Sequence, residues 1–373
     1  MELLRPTYVH IHLDRLIKNY RFLQSLKNEQ DFICPMIKAN AYGHGDIAVS
    51  KALGSVGCDY FGVSSVEEAL HLRISHVEEE ILVFGFHGKE AVDQIIQNNL
   101  TAVVSNFDQL SDLCRQVKDS VSVHLKFDTG MHRLGFQSHE VQGVLNVLNK
   151  NPLINVKGVC THLHSGENSH LDGESSSIQF RDFEQIAKQF PEAIVHAYNS
   201  PAIASLQQSN EKLKWGFRPG LLVYGIDPME NQNIKPLISP VMEFKSKIVA
   251  TQTVKSGEVV SYGGTWQAQR DSVVGIVPAG YADGVCRSLS NKGEVLVGGQ
   301  RCPIRGRVCM DYIMIDLTDF HQGMNNGIGE EVVLIGQQGS DSITVEEVAE
   351  KSGRITYEVM TGLGQRVPRY YGA

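Results

Sequence analysis

Short apolar runs alternate with amphipathic stretches between about residues 13 and 225. The apolar runs fall at 32–37, 60–63, 81–84, 101–104, 121–127, 156–161, 194–197 and 215–218, each of a length suited to a buried strand. Stretches of helical period lie between them at 67–73, 90–98, 107–118, 139–149 and 176–190. Strands and helices in strict alternation over roughly 200 residues predict an α/β fold of the (β/α)8 barrel type. An open doubly wound sheet is the alternative. The motif D-T-G-M-H-R-L-G (128–135) gives that alternative no support, because it lacks the G-x-G-x-x-G spacing of a dinucleotide fingerprint.

Past about Pro236 the texture changes. Segments 241–253, 259–262, 272–278, 293–297, 302–308, 312–317 and 331–335 are rich in β-formers and separated by Gly, Asn and Asp. They predict a second, mostly antiparallel β domain. The expected division is 1–235 and 236–373, with the opening strand at about 7–13 joining the β domain.

Composition narrows the partners. The 373 residues are 42% hydrophobic and 20% charged, as in an ordinary soluble protein. A net charge of -8 argues against nucleic acid, and no basic cluster suggests a membrane surface. No apolar run is long enough to span a bilayer, and the N-terminus lacks a signal peptide's apolar core. The seven cysteines have neither C-x-x-C pairing nor zinc spacing. Reduced thiols in the cytoplasm are therefore expected, and no metal site.

Barrel strands aim their C-terminal ends at one face, where sites assemble. Lys38 ends the first predicted strand and opens K-A-N-A-Y-G-H-G. Lys126 ends the fifth, followed by Asp128 to Arg133. His162 follows the sixth, and His196 to Ser200 closes the seventh. Arg218-Pro219-Gly220-Leu221 follows the eighth. Taken singly, each has a bland role: a snorkelling lysine, a core histidine, a surface arginine, a helix cap at Ser200. At successive strand ends they point to one site. A desolvated strand-end lysine has a depressed pKa and can form a Schiff base. N-S-P-A at 199–202 starts a helix, and Gly220 and Leu221 offer backbone amides, both suited to a phosphate.

The octapeptide at Lys38 resembles the pyridoxal-phosphate (PLP) segment of alanine racemases, which are fold type III PLP enzymes. Matching motifs run in the family's order from about Tyr8 to Tyr371. The resemblance implies a barrel followed by a β domain, with PLP bound as a Schiff base to Lys38. Asn199, Ser200, Gly220 and Leu221 would hold the phosphate, helped by Tyr42 and by Tyr357 of the β domain. Arg218 would face the pyridine nitrogen without giving up a proton, which suits racemisation and disfavours decarboxylation. Tyr262, in V-S-Y-G-G-T-W, would be the second base, its phenolate eased by a hydrogen-bond chain through His162 to Arg218. Arg133 would bind the substrate carboxylate, and Lys126 matches a lysine carbamylated in some relatives. Tyr281, Met310 and Asp311 would line the substrate entrance. Cys309 is expected to pack in the β domain. Tyr262 and Met310 would reach the barrel of a partner subunit, making a head-to-tail homodimer.

The expected activity is interconversion of L- and D-alanine by Lys38 and Tyr262, supplying D-alanine for peptidoglycan. Departures from the family pattern are His132, the extra His164, Tyr198 and Pro201, all at the pocket's edge. Rival readings are a broad-specificity or serine- or lysine-preferring racemase, a PLP-dependent decarboxylase, and a non-enzymatic PLP-binding protein.

Overall fold

The computed structural model describes residues 4–26, 32–168, 175–209, 215–229, 234, 237–320 and 327–372. The expected division at 235/236 lies outside the described residues. Two compact units emerge: Arg15–Ala41 with Gly45–Ser239, and Met1–Asp14 with Tyr42–His44 and Pro240–Ala373.

The first unit carries a parallel sheet of seven strands in sequence order: Tyr60–Val63, Glu80–Val83, Thr101–Val104, Val121–Lys126, Ile154–Cys160, Ile194–Tyr198 and Gly216–Phe217. These strands are nearly continuous apolar runs because both faces are covered; all four residues of Thr101–Val104 are buried. The expected first strand at 32–37 forms two isolated bridges, Ile33 to Phe217 and Met36 to Gly62. It still bonds both edges. Cys34 N donates to Phe217 O, and Ile37 N donates to Gly62 O, each at 2.9 Å. Pro35 breaks the ladder by removing a donor, and Tyr224 Oη donates to Met36 O at 2.9 Å to steady the segment. The sheet therefore closes through this segment as the barrel pattern requires. Phe32, Cys34, Leu82, Val103 and Cys160 form one buried cluster.

In the second unit Tyr8–His12 lies between Met242–Lys247, antiparallel, and Arg369–Gly372, parallel. Val9 and Ile11 face the core with no exposure, while Tyr8 and His10 are half-buried on the other face. The same sheet continues through Glu331–Gln338, Glu294–Val297 and Gln300–Pro303. The segment expected as one strand at 241–253 is two. Met242–Lys247 stays in this sheet, whereas Ala250–Val254 joins a separate antiparallel sheet with Ser272–Val277 and Ile313–Asp316. The chain changes sheets between them: Ile248 N donates to Glu330 O, and Val249 N to Ile276 O. An apolar run gives no sign of such a corner, because both strands contribute to cores.

Candidate active site

Lys38 opens a turn whose first left-handed positions are not glycines. Ala39, Asn40, Ala41 and Tyr42 all have φ between 52° and 54°. Left-handed backbone costs roughly 1–2 kcal/mol per non-glycine residue, so such a run must be held from outside. Ala39 N donates to Glu68 Oε1 at 2.6 Å, and Ala41 N donates to Ile37 O at 2.8 Å. Asn40 closes the turn: its O accepts from Gly45 N and its Oδ1 from Asp46 N. Glu68 is itself fixed in the capping box of the helix Val66–Ile74. Lys38 is thereby pinned at the strand end. Burial lowers its pKa, Arg133 adds to the shift, and Glu68 opposes it.

Arg218 is buried with 6% exposure. Its Nη1 donates to His196 Nδ1 at 2.8 Å and His196 O at 2.7 Å, and its Nη2 donates to Thr161 O at 2.6 Å. Both terminal nitrogens are committed, which leaves Nε as the remaining donor. Guanidinium only donates, so His196 Nδ1 must accept. His196 Nε2 then carries the proton and donates to His124 Nδ1 at 2.7 Å. His124 Nε2 in turn carries a proton and meets no acceptor. Burial holds both rings neutral: His124 falls to about 3, and His196 lies well below its ordinary value, with Arg218 adding in each case. Among the described residues no hydrogen bond joins Arg218 to His162, so the expected link between them is replaced by the link to His196.

His162 stands among cations. Burial depresses it first, then Arg218, Arg133, Lys126 and Lys38, so it is neutral. Gln179, buried on the helix Ser175–Ala187, holds this segment by accepting from His164 N and donating to His162 O. Lys126 is 7% exposed, and burial lowers its pKa. Arg133 is exposed and makes no ion pair among the described residues. The loop that presents it is turned by Asp128, whose Oδ1 accepts from the amides of Gly130 and His132.

The helix Ser200–Ser209 is capped by Asn199, not by Ser200 as expected. Asn199 Oδ1 accepts from Ala202 N at 3.1 Å. Ser200 Oγ instead accepts from Gly220 N at 2.9 Å and Leu222 N at 3.4 Å. That leaves the Ser200 hydroxyl proton and the first amide of the turn Leu221–Tyr224 as donors.

In the second unit Tyr42 and Tyr357 lie with ring centroids 5.7 Å apart. Tyr262 begins a tight turn, Tyr262–Gly264, after Ser261 at φ 66°. It lines an open recess with Ser261, Cys309, Met310, Asp311 and Tyr312. Tyr262 is 71% exposed and Met310 52%, and Tyr281 and Tyr312 are also exposed. Cys309 packs against the cluster of Val254, Val260 and Met314, as expected. Asp311 is positioned by Arg366, which also grips the fully buried Asp283; Arg5 takes that carboxylate from the other side. The backbone ties Tyr281 to this loop, Tyr281 N donating to Cys309 O at 2.9 Å.

Each expected residue of the barrel unit thus lies at or just beyond a strand end, and those of the β unit fall into a tyrosine pair and an exposed recess. Sequence reasoning missed His124, Glu68, Gln179 and Asp283, and gave His196 no role. For His124 the available signal was its place two residues before Lys126 in the strand V-S-V-H-L-K, on the same face. The barrel residues fit PLP: an amine of lowered pKa, a buried guanidinium with one N–H left for an acceptor nitrogen, and hydroxyl and amide donors for a phosphate.

Two family models match the chain, "Alanine racemase, N-terminal domain" over residues 11–228 and "Alanine racemase, C-terminal domain" over 241–371. The chain is 38% identical to an alanine racemase of Sorangium cellulosum, covering 99% of both. It is 34% identical to one of Clostridium novyi, over 99% of this chain and 96% of that one. Among solved structures, alanine racemase from E. faecalis superposes with TM-score 0.90 at 30% identity, over 99% of this chain and 98% of the other. The Bacillus anthracis enzyme with bound L-Ala-P gives 0.88 at 30%, covering 100% and 96%. The Bartonella henselae enzyme with covalently bound pyridoxal phosphate gives 0.85 at 28%, covering 98% and 99%.

Proposed function

The chain belongs to the alanine racemase family, and from that premise we propose that its interconversion of L- and D-alanine runs between Lys38 of one chain and Tyr262 of a second copy. PLP is the family's cofactor, and when bound it supplies the electron sink that acidifies the substrate's Cα–H. The observation that carries the assignment is Lys38 itself, a strand-end amine of lowered pKa pinned by a strained turn.

Lys38 would hold the cofactor through its amine, and as a free amine of lowered pKa it would move the proton on one face of Cα. Arg218, with Nε its one uncommitted donor, would face the cofactor's ring nitrogen and keep its own proton, because a guanidinium does not titrate near neutrality. Ser200 and the amide of Leu221 hold the phosphate, with Asn199 fixing the helix start and Gly220 fixing Ser200; Tyr42 and Tyr357 are assigned to the same group. Arg133, exposed and free of any ion pair among the described residues, takes the substrate carboxylate. Lys126 lies among the same cations, and carbamylation would turn its charge toward Arg133. Neutral His162 offers a lone pair to an incoming phenol. Met310, Tyr281 and Asp311 form the entrance.

Exposure supports the second copy. A base must be shielded from bulk water, yet Tyr262 is 71% exposed beside exposed Met310, Tyr281 and Tyr312. Such a patch marks a contact surface. We assign it to a homodimer in which each copy lends its Tyr262 to the other's barrel. The seven free thiols suit a reducing cytoplasm, and no helix among the described residues is long and apolar enough to cross a membrane. D-alanine destined for peptidoglycan is the product use we propose.

The first test is incubation with PLP and L-alanine in heavy water; deuterated D-alanine is expected, and deuterated L-alanine alone would mean that one base works and the second is missing or misplaced, which would overturn the two-base scheme. The second mixes two inactive variants, Lys38→Ala and Tyr262→Phe, after dissociation and reassembly. If Tyr262 acts across copies, half the dimers have one intact site and activity returns to about a quarter of the parent's. No return of activity, with heterodimer shown by mass, would place both bases in one chain.

A further inference from the structure

His10 and His12 stand two residues apart on the strand Tyr8–His12, so both rings lie on one face. Their centroids are 4.0 Å apart. Glu243 is directly opposite His10 on the antiparallel neighbour Met242–Lys247. One ligand atom from each of the three can be chosen so that all lie within 4.8 Å of one another. His12 and Glu243 are buried, at 8% and 6% exposure.

His12 Nε2 and Glu243 Oε1 are 3.4 Å apart. That carboxylate oxygen is the partner of the buried His12 Nε2, which makes no further hydrogen bond among the described residues. A separation of about 3.4 Å is the edge of a tetrahedron whose ligands stand about 2.1 Å from a central zinc ion. The other oxygen, Oε2, is held by Lys245 Nζ at 2.8 Å, so Oε1 is presented toward the histidines. Such an outer partner orients a ligating carboxylate. Glycines on the two flanking strands keep the face open. A Cβ at Gly372 would sit 3.1 Å from His10 Nε2, and one at Gly336 would sit 3.0 Å from Glu243 Cγ.

We propose that His10, His12 and Glu243 bind a divalent transition cation of the zinc class, with water completing the coordination. The donor set is two imidazoles and one carboxylate, the kind that zinc takes where it keeps an open position. None of these three residues is among those assigned to the racemisation. A strand from the start of the chain would be cross-linked to one some 230 residues later. The sequence concealed the site because its ligands follow strand period and cross-strand register, not the close spacing of a zinc motif.

The test uses the holoenzyme, stripped with chelator, dialysed, and titrated with Zn2+ alone, with bound metal counted by mass spectrometry. One zinc per chain is expected, together with a rise in unfolding temperature. Co2+ in its place should give the visible absorption of a four-coordinate nitrogen–oxygen site. His12→Gln and Glu243→Gln should each weaken zinc binding by tenfold or more, while alanine racemisation and the cofactor spectrum persist. His10→Gln, at the half-buried position, serves if either of those fails to fold. Failure of the parent to retain zinc, or variants that bind it as the parent does, would overturn the proposal.

Discussion

His196 is the residue whose replacement most sharply tests the reading of the barrel interior. His196→Phe keeps a flat ring but removes both nitrogens. Arg218 Nη1 keeps the carbonyl of residue 196 and loses the Nδ1 acceptor at 2.8 Å. A hydrogen bond to a buried cation is worth about 1.5–3 kcal/mol. His124 Nδ1 loses its donor, and a buried unpaired acceptor costs about 1–3 kcal/mol more. The expected loss is therefore about 2.5–6 kcal/mol, read from urea unfolding of the holoenzyme at one fixed chain concentration. The double variant His124→Leu/His196→Phe removes both members of the pair and should be less destabilised than the two single losses summed, by about 1 kcal/mol or more. Activity gives a second readout: Arg218 is left less firmly oriented, so kcat should fall about tenfold or more with KM little changed. A loss below about 0.5 kcal/mol, or strict additivity in the double variant, would refute the proton assignment along Arg218, His196 and His124.

PLP capture by the apoprotein needs Lys38 neutral, so its rate should fall as pH drops through a midpoint below 10.5; Arg133→Gln should move that midpoint up, and stopped-flow absorbance that found it unmoved or lowered would count against the charge argument. Because the folded lysine holds fewer protons than the unfolded one between its lowered pKa and 10.5, apoprotein stability should rise with pH across that window. Asp283→Asn leaves Arg5 and Arg366 without their buried carboxylate and should cost about 3 kcal/mol in urea unfolding at neutral pH. Burial raises the Asp283 pKa, but the hydrogen bonds of Arg5, Arg366 and Gly280 bring it below 3.8. The parent's advantage should therefore be complete above pH 3.8 and vanish as pH falls through the native value; a gap independent of pH would sink this reading. Ala39 is exposed at φ 53°, so Ala39→Gly should be close to neutral while Ala39→Val costs about 1–2 kcal/mol in thermal unfolding; equal effects would show that the turn stores no strain.

Much of this molecule can be read from its residues. Barrel strands buried on both faces appear as bare apolar runs, so Thr101–Val104 and Tyr60–Val63 are recovered to the residue. Strand ends collect polar groups in no other regular way, which is why Lys38, Lys126, His162 and Arg218 stand out. What stays hidden depends on partners distant in sequence. A-N-A-Y carries no glycine to mark left-handed backbone; Glu68, some thirty positions on, imposes it. Asn199 and Ser200 are both good caps, and only the Gly220 amide decides that Ser200 turns away. His196 was visible at a strand end, but its role depends on His124, a strand residue that reads as core filler.

The same distinction governs the second base. Nothing in V-S-Y-G-G-T-W separates a catalytic tyrosine from one in an exposed turn, and the structure leaves Tyr262 with most of its surface open. A turn built on Ser261 at φ 66° and Gly263 at φ 71° is too constrained to be idle linker, since the serine pays a backbone cost that its hydroxyl, donating to Arg307 O at 2.7 Å, helps to offset. Strain at Ser261 beside an exposed phenol, like strain at Ala39 beside a half-buried amine, is what a chain retains where a side chain must be aimed. Ser261→Gly should therefore relax the turn, hold or raise stability by up to about 1 kcal/mol, and still lower kcat by loosening Tyr262. If Ser261→Gly leaves kcat unchanged, the turn does not aim the phenol, and the case for Tyr262 would rest on the subunit-mixing result alone.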